Sequence, residues 1–229
     1  MNHEVTLVCL WMRLLERAES DIVRIHGNRV LWRGIVEMLD AKAEIPNRFE
    51  LRNLLTRWYL AHQLSGIRRH SDLRKTTASL ARIWRSIARN PHVLTKERHV
   101  ELTSIDDFTR RASAHYFDQH FGKGADAVDS AVAEGHVQRL VEETQTVRNY
   151  VNASIAHLDA NPEAAGALQF GQVDEALGVL EEELQALYLL ILGSALLHAE
   201  PVFQFSWRSA FYVPWAPDNE IEAWAEAKD

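Results

Sequence analysis

Helix breakers are scarce along this chain: ten glycines and six prolines are spread through 229 residues. Between them apolar residues recur at spacings of three and four, which puts them on one face of a helix and not on one face of a strand. The pattern predicts an all-α protein. A first helical pattern runs from about Val5 to Leu39 through Val8, Leu15, Ile22, Ile25, Val30 and Ile35, with Gly27 as the point where it can split. A second starts at Asn47, a residue suited to an N-cap, and carries Phe49, Leu51, Leu54, Leu55, Trp58 and Tyr59 to Leu64. Ser71 or Asp72 caps a third, with Leu73, Leu80, Ile83, Trp84 and Ile87, which stops at Asn90-Pro91 because proline disfavours the helical conformation of the residue before it. Thr103 with Asp106 resembles a capping box opening a fourth helix through Phe108, Tyr116 and Phe117, halted near Gly122 and Gly124. Residues 125–159 make a fifth, Asn161-Pro162 a turn, and residues 172–198 a sixth whose acids lie early, where the helix dipole favours them.

The tail departs from this period. Phe203, Phe205, Trp207, Phe211, Tyr212 and Trp215 crowd between Pro201 and Pro217, and Phe203 to Trp207 alternates with period two. That predicts an extended aromatic arm, which by the prevalence of internal packing is first a strap over a groove of its own bundle and second a binding surface. The domain boundaries expected are a helical bundle over 1–199 and an arm with an acidic tail over 200–229.

Charge divides the chain. Residues 1–117 hold 20 Lys and Arg against 13 Asp and Glu, whereas residues 118–229 hold 5 against 19. The densest basic stretch is residues 65–100, with Arg68, Arg69, Arg74, Lys75, Arg82, Arg85, Arg89, Lys96 and Arg98 against Asp72 and Glu97. Such a segment either meets phosphate or pairs with the acidic half of its own chain or of a partner. One cysteine, Cys9, allows no internal disulfide and no zinc site built on two thiolates, which fits a reducing, cytoplasmic compartment. The first residues lack a basic leader, and no run of 18 apolar residues occurs, so a protein that stays out of the membrane is expected.

Several chemistries have no support. Neither GxxxxGK[ST] nor GxGxxG occurs, and there is no GxSxG elbow. Among eleven histidines, the pairs His115 with His120 and His62 with His70 lack the spacing of metal-binding helices, so no metal and no cofactor is expected. Glu181, Glu182 and Glu183 read as a solvated helix face.

The segment from Val147 to Asp159, VRNYVNASIAHLD, is the most polar helix end. On a regular helix Asn149, Asn152 and Ala156 share a face and His157 lies one step round. A histidine near a helix C-terminus, followed by Asp159, suits a general acid or base; the alternative is that the two amides and the ring stitch this helix to its neighbour.

RNYVNASIAHLD resembles the "RN…AH-x-D" helix of HEPN proteins, in particular the abortive-infection subgroup. The upstream LSGIRRHSDLRKTTASLARIWRSI is similar to that subgroup's Arg-rich helix, with Asp72, Ser79 and Leu80. The likeness covers about residues 60–165. It implies a HEPN-like bundle of four or more helices, a homodimer, and a role in phage defence or as a toxin. In active members it implies metal-independent RNA cleavage by an Arg-x(4–6)-His pair, two copies facing each other across the dimer cleft. The histidine maps onto His157 and the neighbouring Ala and Asp onto Ala156 and Asp159. Arg148 precedes His157 by nine positions, while Asn152 and Val151 stand at the family's spacings; nine regular helical steps place Arg148 on the opposite face.

The resemblance therefore sets His157, Arg148, Asn152, Asn149 and Asp159 as candidate catalytic residues. Two His157 would serve as base and acid for attack by the RNA 2′-hydroxyl. Arg68, Arg69, Arg74, Lys75, Arg82, Arg85 and Arg89 are the candidate RNA-binding set. The expected function is a ribonuclease or a degenerate RNA-binding relative. The alternative is a non-catalytic subunit binding a protein partner such as an antitoxin or a defence-complex component.

Overall fold

In the computed structural model, residues 3–43, 45–156, 168–196, 198–201, 203 and 206–212 are described, and every regular element among them is helical. Eight α-helices follow in chain order: α1 (His3–Ala41), α2 (Arg48–His70), α3 (Leu80–Arg89), α4 (Lys96–Thr103), α5 (Asp107–Phe117), α6 (Ser130–Glu143), α7 (Gln145–Val151) and α8 (Phe170–Leu192). The expectation of an all-α protein holds. No helix among the described residues is long and apolar enough to cross a membrane.

The bundle is organised around α1, α2, α3, α6 and α8, with α7 against α2 and the pair α4 and α5 to one side. Its core is continuous: Trp11, Leu15, Ile22 and Ile25 of α1 meet Leu64 and Ile67 of α2, Ile83, Trp84 and Ile87 of α3, and Leu177, Leu180 and Leu184 of α8. These positions are the three-and-four stripes of the sequence, and removing them from water is the main force holding the helices together.

Several boundaries differ from the sequence expectation, each for a local reason. α1 passes unbroken through Gly27. Its glycines serve packing: a Cβ at Gly27 would lie 3.1 Å from Pro201 Cγ, and one at Gly34 would lie 2.5 Å from the Trp207 ring. α2 begins after Asn47, as expected, but Asn47 is left-handed, with φ 51°, and makes no side-chain capping bond. The cap of α3 is Ser79, not Ser71 or Asp72: its Oγ accepts from the Arg82 amide at 3.2 Å, and residues 71–79 form a loop. α3 ends at Asn90-Pro91, as expected. Thr103 closes α4, while the capping box lies at Asp106 and Thr109, whose side chain and amide engage Asp106. The π-helical turn 118–122 after α5 ends at left-handed Lys123 and Gly124, and Gly124, with φ 85°, supplies a conformation that other residues resist.

Residues 125–159 are not one helix. α6 begins only at Ser130, Thr144 separates it from α7, and Asn152–Ala156 widen into a π-helical turn. The turn expected at Asn161-Pro162 lies outside the described residues. The sixth helix ends at Leu192, earlier than expected, because left-handed Gly193 (φ 66°) caps it. In the tail Trp207–Tyr212 form a 3-10 helix, so the extended arm is corrected there. The strap is visible in the described part: Pro201 covers Gly27, Trp207 covers Gly34, Arg208 pairs with Glu37 at 3.7 Å, and the Ala199 amide donates to Glu181 at 3.1 Å.

Among the described residues three histidines are buried: His26 of α1, His70 at the end of α2, and His99 against Phe117 and Phe121. Burial pushes all three below the ordinary histidine value of 6.5, and the acids near His26 (Glu181, Glu200) and His70 (Asp21) offset it only in part. Above that value folded and unfolded chains both hold the rings neutral. Below it the unfolded chain takes up protons that the fold excludes, so stability falls as the solution is acidified. Thermal melts between neutral pH and about pH 5 are expected to show a steady drop in Tm; a flat profile would mean that these rings become protonated inside the fold.

Candidate functional site

The basic stretch of residues 65–100 is not one helix: it runs from the end of α2 through a loop and α3 into α4. Its cations divide by environment. Arg69 grips Asp21 of α1 with two bonds, Nε to Oδ2 at 2.9 Å and Nη2 to Oδ1 at 3.1 Å. Asp21 also meets Arg24 and lies 3.2 Å from His70 Nε2. Burial opposes ionisation of Asp21, but His70, Arg24 and Arg69 outweigh it and hold the carboxyl well below the usual range. Arg74 is taken by Asp72, 2.7 Å from Nε to Oδ2, and Lys96 by Asp118 at 2.7 Å. Arg68 is half-buried at the end of α2.

The other four of the candidate RNA-binding set converge. Lys75, Arg82, Arg85 and Arg89 line one cleft of about 230 Å³ together with Ser86 and Asn90, over a floor of Leu10, Leu14 and Leu73. Local structure explains the convergence. On α3 the face with Leu80, Ile83, Trp84 and Ile87 is buried, which turns Arg82, Arg85 and Arg89, at spacings of three and four, outward in one row. The row extends about 10 Å along the helix axis. Ser79 Oγ also donates to the Asp72 carbonyl, and Arg82 Nη1 donates to the Thr77 carbonyl at 2.9 Å, which folds the 71–79 loop and its Lys75 beside the row. The Trp11 indole donates to Ser86 Oγ at 2.8 Å, and Asn90 Nδ2 to the Ser86 carbonyl at 2.9 Å, fixing α1 against α3. Among the described residues no carboxylate forms an ion pair with Lys75, Arg82, Arg85 or Arg89. Among the described residues of the acidic half none pairs with this row; Asp174 instead pairs with Arg29 and Arg33 of α1. A cluster of like charges with no pairing acid among the described residues is suited to an anion with several oxygens, above all phosphate.

Residues 147–159 are described only as far as Ala156. His157 and Asp159 lie outside the described residues. Arg148 is half-buried and its Nη1 donates to Gln145 Oε1 at 3.3 Å, and Asn149 Oδ1 accepts from Gln145 Nε2 at 2.6 Å. Asn152 is exposed at the start of the π-helical turn. In that turn each residue rotates less about the axis than in an α-helix, because the bonds reach five residues back. The regular step that set Arg148 opposite His157 therefore does not hold beyond Val151.

A second polar centre lies between α6 and α8. Glu183, expected on a solvated face, is fully buried: its Oε2 lies 2.8 Å from His136 Nδ1 and its Oε1 3.3 Å from Arg139 Nη1. Arg139 also pairs with Glu182, which is exposed. The His136 ring stacks on Trp84, centroids 4.0 Å apart and planes within 4°. The sequence does carry a signal for this pair. His136 falls three residues after Ala133 and Glu183 three after Leu180, so each stands on an apolar stripe where a charged group needs a partner. Among the described residues no three His, Cys, Asp or Glu side chains gather as a metal ion would require.

Compared with protein-family models, with curated proteins and with solved structures, the chain has no match.

Proposed function

We propose that this protein acts on RNA, as a HEPN-like ribonuclease or a degenerate RNA-binding relative, and that the cleft between α1 and α3 holds the phosphate backbone. The observation that supports it is the row of Arg82, Arg85 and Arg89 with Lys75, assembled in one cleft without a pairing carboxylate among the described residues. The resemblance of residues 147–159 to the HEPN helix supplies His157 as acid or base, with Arg148, Asn149, Asn152 and Asp159 around it. A homodimer would bring two such histidines to one phosphate, and phage defence or toxin action is the setting that the resemblance suggests.

Fluorescence anisotropy of the full chain with a labelled single-stranded RNA tests the cleft. Affinity is expected to fall steeply from low to moderate salt as counterions are released. Arg82→Glu with Arg85→Glu is expected to weaken binding at least about tenfold across sequences, since it removes two contacts and adds two repulsions. Unchanged affinity would assign the row to another partner. Cleavage lost on His157→Ala, with binding retained, marks the nuclease; binding without any cleavage marks the degenerate relative.

A protein partner is the second reading. Ile105 and Phe108, at the turn between α4 and α5, are 95% and 75% exposed, an apolar tip of the kind that docks on another protein. Retention of an antitoxin-like or defence-complex partner, lost on Phe108→Asp while RNA binding is absent, would favour it.

A further inference from the structure

We propose that the cavity between the C-terminal end of α1 and the start of α2 binds a single-chain fatty acid, its tail inside and its carboxylate at Lys42. The cavity measures about 570 Å³, within the range of roughly 300–1,000 Å³ that small-molecule sites occupy. Ile35, Met38 and Leu39 form one wall, Leu51 and Leu55 another, and Phe211 of the strap a third. Leu51 and Leu55 stand one turn apart on α2, so that wall of the trough is apolar over about 6 Å of the helix. Water gains little there, because an ordered water needs two to four polar partners and these walls offer almost none. A linear alkyl chain gains instead, by about 0.8 kcal/mol for each methylene removed from water.

Charge at the rim selects the head group. Among the described residues Lys42 is the only charged side chain lining the cavity; it is exposed, and no ion pair engages it among those residues. The nearby cations are otherwise occupied: Arg52 pairs with Asp40 at 3.2 Å, and Arg48 donates to the Asp40 carbonyl at 3.5 Å and covers the Phe49 ring. An ammonium beside an apolar trough matches a ligand with one anionic end and a long apolar remainder. The site is separate from the basic cleft, which lies at the other end of α1.

Isothermal titration of the full chain with dodecanoic acid, below its micelle concentration, tests the site against dodecan-1-ol as the uncharged control. Saturable one-to-one binding is expected, with the acid preferred. Lys42→Glu is expected to weaken the acid about tenfold or more and to leave the alcohol unchanged, because only the charge-assisted contact is lost. Leu55→Trp, which fills the trough, is expected to abolish both. Lys42 is on the surface, so its variant keeps the test valid even where Leu55→Trp does not fold. No saturable heat with wild type, or equal acid affinity in Lys42→Glu, overturns the proposal. So does a wild-type dimer that becomes a monomer on Leu55→Trp without acid binding, which would assign the trough to a second copy of the chain.

Discussion

His136→Leu is expected to lower the stability of this protein by about 3 kcal/mol, the cost of leaving a buried carboxylate oxygen without its hydrogen-bond partner. Glu183 has no exposed surface, and His136 and Arg139 are the groups that face its two oxygens. Leucine at 136 leaves Glu183 Oε2 without a donor in an apolar surround, while Arg139, itself partly exposed, still serves Oε1. It also takes the flat imidazole from the Trp84 ring. For a domain of this size the loss corresponds to a Tm decrease of about 6–12 °C. Glu183→Leu placed on top of His136→Leu is expected to recover much of it, since it removes the buried carboxylate left without a partner and puts an apolar side chain in its place. A single variant that melts within a degree of wild type, or a double variant that melts lower than the single, would contradict this account of the site.

Gly66→Ala is expected to destabilise by about 1 kcal/mol although alanine is the better helix former. A Cβ at position 66 would meet Ile25 Cδ1 at 2.5 Å and Cγ1 at 2.9 Å, and Ile25 is fully buried where α1 packs on α2. Overpacking of that kind costs about 1–3 kcal/mol, against a propensity gain of up to about 1 kcal/mol. Ile25→Val removes the Cδ1 atom at the closest contact, so it is expected to cost less in the Gly66→Ala background than in wild type. At Gly135 of α6 and Gly178 of α8 an added Cβ would meet nothing within 4 Å, so alanine there is expected to stabilise. Urea denaturation of the four single variants and the Gly66→Ala/Ile25→Val double variant distinguishes these signs; stabilisation by Gly66→Ala would show that Ile25 rotates away at no cost.

The helical class was legible because breakers are few and the apolar period is consistent from Trp11 to Ile191. Local competition hid the boundaries. Ser71, Asp72, Thr76, Thr77 and Ser79 are all residues that cap helices, and the choice falls on Ser79 because Leu80 is the first residue of that segment to enter the core. The basic site was half legible: all seven cations stand out by composition, but only the burial of Leu80, Ile83, Trp84 and Ile87 decides that Arg82, Arg85 and Arg89 share a face. Arg69 and Arg74 look identical in sequence and are claimed by Asp21 and Asp72. Glu183 was misplaced because adjacent acids suggest water, whereas the helix turns each of three consecutive residues in a different direction. No short-range pattern joins it to His136, 47 positions earlier.

The strap ties the tail to the second half of α1, and that has a bearing on biosynthesis. Trp207 follows Gly34 by 173 residues, so at roughly 5–20 residues per second a ribosome needs roughly 10–35 s between making the glycine and making the ring that covers it. During that interval the side of α1 bearing Gly27 and Gly34 is naked, while the rest of α1 already has α2 and α3 to pack on. Nascent chains arrested before Pro201 would display this surface to chaperones, and full-length chains would not.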